Sequence, residues 1–227
     1  MRDLDASFMV PVDVIDGVHN YCNRWCERCR FKARCTVFVN VHPEAPEAKH
    51  VTPFELPAEP TPLMKELEAA GAFDEPSPAE SAAWARRHEE ERRQVERQLA
   101  LQLVKAYQTA AEVALGEVGP PEDSEPAEVI RWHHFLVQAK IYRALHGKAD
   151  EWFEADDLES DAYGSAKVAL IAMDDMMAAW LGLAEQPKGH AEIAEAMDLL
   201  VKTREALEAA LPRARQFVRP GFDTIPP

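Results

Sequence analysis

The chain has 227 residues and a formal net charge of −15, from 40 acidic and 25 basic side chains. An acidic body of this kind repels bulk nucleic acid and anionic membrane, and no apolar run approaches the ~18 residues of a membrane helix. The length suits one domain with an appendage.

The start, Met1-Arg2-Asp3-Leu4-Asp5, lacks the basic run and apolar stretch of a secretory signal, so the sequence reads as that of a cytoplasmic protein. Val14, Ile15 and Val18 predict a short helix over residues 13–21. Cys22, Cys26, Cys29 and Cys35 follow, spaced C-x3-C-x2-C-x5-C within fourteen residues, and they are the whole cysteine content. Scattered thiols are small buried hydrophobes. Four thiols one to two turns apart can instead converge on one centre, an iron–sulfur cluster or a zinc ion. A reducing compartment keeps them free for metal, which argues against two disulfides. Arg24, Arg28, Arg30, Lys32 and Arg34 flank them against Glu27 alone. These cations offset the negative charge of four thiolates, a simpler account than contact with a phosphate backbone.

The stretch Cys26-x2-Cys29-x5-Cys35 resembles the end of the 4Fe–4S loop in endonuclease III-type DNA glycosylases. It is also similar to the iron–sulfur staple of RecB-type nucleases, and Cys22 would take the part of the further upstream cysteine. The resemblance covers about fifteen residues. Three residues separate the first two cysteines where the glycosylases have six, and neither a helix-hairpin-helix nor a nuclease signature accompanies them. The resemblance implies a cluster type and four ligands, not an activity. A second partial match, C-x3-C-x2-C as in radical S-adenosylmethionine enzymes, needs an open fourth iron and a barrel of alternating strands and helices. Here Cys35 closes the set and the body reads helical. Zinc is the alternative metal: compact knuckles fit four ligands into this length, and His19 could replace one thiolate. All-thiolate ligation and the matched spacing favour the cluster.

Beyond Cys35, residues 36–41 are rich in β-branched and aromatic side chains and fit a short strand or a helical turn. Pro43, Pro46, Pro53, Pro57, Pro60 and Pro62 make residues 43–62 an extended connector. A short helix over 62–70 has Thr61 as N-cap and Gly71 as stop. Ser77-Pro78-Ala79-Glu80 is a capping box, and the helix it starts meets no breaker before Gly116, a reach of about 55 Å. Its first half is charged on every face. Its second half carries the stripe Val95, Leu99, Leu103, Ala106, Ala110 and Val113. A second long helix runs from Ser124 to Gly147 with apolar residues nearly all round, a third over 161–184, and a fourth over 190–211.

These elements predict a mainly α protein: a cysteine-rich metal or cluster module (1–42), a connector (43–62) and a four-helix bundle (63–227). The function expected first is a cytoplasmic 4Fe–4S protein with an electron-transfer, redox-sensing or structural role. Its partner would be another protein rather than nucleic acid or membrane. A zinc-stabilised adaptor whose exposed helix near residues 85–97 binds a protein is the alternative. The third is an enzyme with a pocket at His134, Lys140, Lys167 and Asp174, although single polar residues in long helices are commonly structural. A di-iron carboxylate site fails, because none of the four long helical segments carries a Glu-x-x-His; Glu47-x-x-His50 falls in the proline-rich stretch.

Overall fold

A computed structural model of the protein describes residues 9–49, 51–53, 59–72, 74–120, 124–150 and 153–224. These residues form seven α-helices and one two-stranded sheet, so the protein is mainly helical. None of the helices is long and apolar enough to cross a membrane. By packing, the residues up to His19 and Cys26–Glu90 make one compact unit, and Asn20–Trp25 and the chain from Glu91 make another.

In the first unit β1 (Met9–Pro11) pairs antiparallel with β2 (Val51–Pro53), Val10 lying opposite Thr52. The proline-rich stretch is thus more than a connector. Its prolines exclude a helix interior or a central strand, but not a strand in a ribbon with free edges. Residue 50 and residues 54–58 of that stretch, like residues 1–8 of the expected module, lie outside the described residues. Residues 36–41 resolve as a helix, α1 (Thr36–Val41). Asn40 on α1 accepts from the Met9 backbone at 2.8 Å and donates back to its carbonyl at 2.6 Å, which fastens the ribbon to the helix. Phe38, Val39 and Ala48 form a small core beneath. The helix expected over 13–21 is only a one-turn 310 segment, Val18–Asn20, because Gly17 turns left-handed (φ 70°) just before it.

The capping arguments hold for the next two helices. Thr61 accepts from the Met64 amide at 3.3 Å to open α2 (Pro62–Ala69), and Gly71 follows its end at φ 73°. At the start of α3 (Pro78–Glu96) the Ser77 amide donates to Glu80 at 2.8 Å, and the Glu80 amide donates to the Ser77 hydroxyl at 3.3 Å.

The second unit is built on α4 (Leu99–Val118), α5 (Glu125–Ala149), α6 (Asp161–Leu183) and α7 (His190–Ala210). The single helix expected from residue 78 to 116 is therefore two. Gln98 is extended (ψ 135°), and the Gln102 side chain donates to the Glu96 carbonyl at 2.6 Å, satisfying a group the break would orphan. The break shifts the buried face of α4. Ala100, Leu101, Val104, Tyr107, Ala111 and Ala114 point inward, while Leu99 and Val113 of the expected stripe are exposed.

α5 packs on α6 and α4 on α7. Gly147 meets Ala162 at one end of the α5–α6 pair and Gly182 meets Pro126 at the other, so the two run antiparallel. α5 continues past Gly147 to Ala149 because that glycine sits inside this contact. Phe135 is 70% exposed, so α5 is not buried all round. The core they enclose, including Tyr107, Ile130, Ile141, Leu170, Met173, Trp180 and Leu200, is drawn entirely from the second unit. Each fully buried Leu, Ile or Met contributes about 1.5–3 kcal/mol through the area it removes from water.

Candidate metal centre

All four cysteines are half-buried thiols outside any disulfide. Three of them belong to the first unit, in a stretch of tight single turns. The Cys29 amide donates to the Cys26 carbonyl at 3.1 Å, closing a 310 turn over Cys26–Arg28. The Phe31 amide then donates to the Cys29 sulfur at 3.4 Å. A backbone N–H aimed at sulfur fixes its direction. Cys26 and Cys35 both pack against the Phe38, Val39 and Ala48 core. Cys35 is set by its neighbour: the Ile15 amide donates to the Arg34 carbonyl at 3.1 Å, and the Arg34 guanidinium holds Asp13.

The flanking charges have identifiable partners. Lys32 pairs with Glu47 at 2.7 Å, and this bond, with the Cys29 charge adding to it, raises the lysine pKa. Arg30 lies over the buried Phe31 ring, 4.5 Å from its centroid.

Cys22 lies in the second unit. Only three residues separate it from Cys26, so the chain itself limits their backbones to about 14 Å apart. Its neighbours are held by helices. Lys140 of α5 donates to the Asn20 carbonyl at 2.5 Å, and Trp132 of α5 donates to the Asn23 carbonyl at 2.9 Å. Burial, with Arg143 adding to it, lowers the Lys140 pKa to about 8, against the upward pull of Cys22. Tyr21 packs on Phe217 with centroids 4.6 Å apart, and Trp25 stacks on Trp132 at 5.0 Å. In donor chemistry, four thiols, a sulfur-directed N–H and neighbouring cations suit thiolate ligation of a soft metal.

The residues considered for a pocket do not converge. His134 faces Glu112 at 3.5 Å, and Lys140 is spent on Asn20. Lys167 donates to the Phe217 carbonyl at 2.5 Å and to Asp223 at 2.7 Å. Asp174 pairs with Arg215 at 2.9 Å and Arg204 at 3.5 Å. Each polar group has its own structural partner. Sequence reasoning missed the docking of residues 20–25 on α5 and α6. Its one advance signal was Gly164, a glycine inside an otherwise regular helical stripe. Neither protein-family models, nor the sequences of curated proteins, nor solved structures match this chain.

Proposed function

We propose that this chain is a cytoplasmic iron–sulfur protein that binds one 4Fe–4S cluster through Cys22, Cys26, Cys29 and Cys35. In this reading a cysteine-rich module precedes a four-helix bundle, α4–α7, and the cluster serves electron transfer, redox sensing or stability. The spacing of four thiols within fourteen residues, with no other cysteine in the chain, carries it. Such a cluster supplies one-electron redox chemistry when bound. The chain's own contribution is to aim sulfur and offset charge. The Phe31 amide orients Cys29, while Lys32 and Lys140 bring positive charge to Cys29 and Cys22. Arg34 and Lys32 are already paired with Asp13 and Glu47, which supports a protein partner over a phosphate backbone.

Protein purified without oxygen is expected to be brown, with broad visible absorption and about four irons per chain. Colourless protein with one zinc after growth in iron-replete medium overturns this reading in favour of the adaptor. One observation favours that second reading. An open groove of about 990 Å³ between the end of α2 and the start of α3 is lined by Gly71, Asp74, Trp84 and Arg87, a surface suited to a peptide.

A further inference from the structure

We propose that Asn20–Trp25 is a strap by which α5 and α6 hold Cys22 in place for the metal centre, with Lys140, Trp132 and Gly164 as its positioning residues. The inference rests on the cluster reading above. The backbone carbonyls on either side of Cys22 are both taken by α5: Asn20 by Lys140 at 2.5 Å and Asn23 by Trp132 at 2.9 Å.

Tyr21 is held still more closely. A Cβ at Gly164 would stand 2.2 Å from its Cε1 and 2.8 Å from Phe217 Cζ, so only glycine there admits the ring. Burial, with the charge of nearby Asp161 adding to it, raises the Tyr21 pKa, and Arg143 grips Asp161 with two bonds of 2.6 and 2.7 Å. Beyond Cys22, Arg24 takes a left-handed backbone (φ 60°), and the Asn23 side chain accepts from the Trp25 amide at 3.1 Å. Such a turn is unfavourable for a non-glycine residue, and it persists where the surroundings over-determine it. Trp25 then closes the strap, stacked on Trp132. A ligand fixed by outer contacts in this way loses its metal more slowly than one on a free loop. The buried ammonium of Lys140 also offsets charge at Cys22.

Gly164→Ala and Lys140→Met, made separately in the full chain, test this. Amide hydrogen exchange over residues 20–25 in metal-free protein reads the strap alone, and we expect it to quicken about tenfold in both variants. After anaerobic reconstitution with iron and sulfide, chelator bleaching of the visible absorption should also quicken about tenfold. Circular dichroism checks that the helices persist, and Lys140→Met, which keeps the apolar stem, serves if Gly164→Ala does not fold. Unchanged exchange in the folded variants overturns the strap. Faster exchange with wild-type bleaching overturns its role at the centre. A wild-type chain that takes up no iron–sulfide, whether or not it binds zinc, overturns the cluster reading and with it that role. The exchange measurement, which needs no metal, tells that failure from a failure of the anchors.

Discussion

The Tyr107 hydroxyl lies in the centre of the helical core, where it accepts from Trp180 Nε1 at 3.1 Å and donates to the Met176 sulfur at 3.2 Å. Burial pushes its pKa well up, so it remains a neutral donor at every physiological pH. Tyr107→Phe leaves the Trp180 N–H buried without a partner, which costs about 1–3 kcal/mol. Urea unfolding should show that loss with the slope of the transition unchanged. His133 is the opposite case. Both its ring nitrogens are buried without a hydrogen bond of ordinary geometry, and burial lowers its pKa against the pull of the Val129 carbonyl one turn back. It packs edge-on to Trp25, with ring centroids 6.1 Å apart, as a neutral ring.

Among the elements, the C-terminal segment after α7 is fastened to α6 by charge rather than by a long apolar face. Lys167 on α6 and Arg219 in the segment both bond Asp223, at 2.7 and 2.9 Å. Burial alone would raise the Asp223 pKa, but the bonds from Arg219, Lys167 and the Arg219 amide outweigh it and hold the carboxyl well below its usual range. A carboxylate with a depressed folded pKa adds stability that is complete above about pH 4 and lost as pH falls toward the folded value. Thermal unfolding of wild type and Asp223→Asn should therefore differ at pH 7, with the variant less stable, and the gap should narrow steadily as pH falls below about 4. Equal midpoints across that range would show that the segment is held by Phe217 and Ala214 in the core instead.

At the scale of the whole molecule, the helical core and the three N-terminal cysteines belong to separate compact units. Cys29→Ser should abolish the visible absorption of the reconstituted centre while far-UV circular dichroism keeps nearly all of its helical signal. Wholesale loss of that signal would mean that α4–α7 depend on the metal for folding, as small metal-built domains do. The acidic surplus of the chain acts at this scale too. A net charge of −15 repels a polyanion only at separations within about a Debye length, ~8 Å at physiological salt.

Local chemistry was readable in advance wherever a residue acts within a few positions of itself. Thr61, Ser77 with Glu80, and Ser124 start helices as their side chains dictate, because an N-cap satisfies an amide only two or three residues away. The cysteine spacing is local in the same sense, and it names the candidate site without any fold. What lay beyond the sequence depends on distant partners. The break at Gln98 carries no glycine or proline; its Glu96 carbonyl is met by Gln102, and burial of Tyr107 and Leu101 fixes the face of α4 that turns inward. The strand at Val51–Pro53 exists because Met9–Pro11 pairs with it from some forty residues upstream. Cys22 looks in sequence like one of four equal ligands. Tertiary structure alone sets it apart, since the carbonyls beside it are bonded by Lys140 and Trp132 more than a hundred residues away.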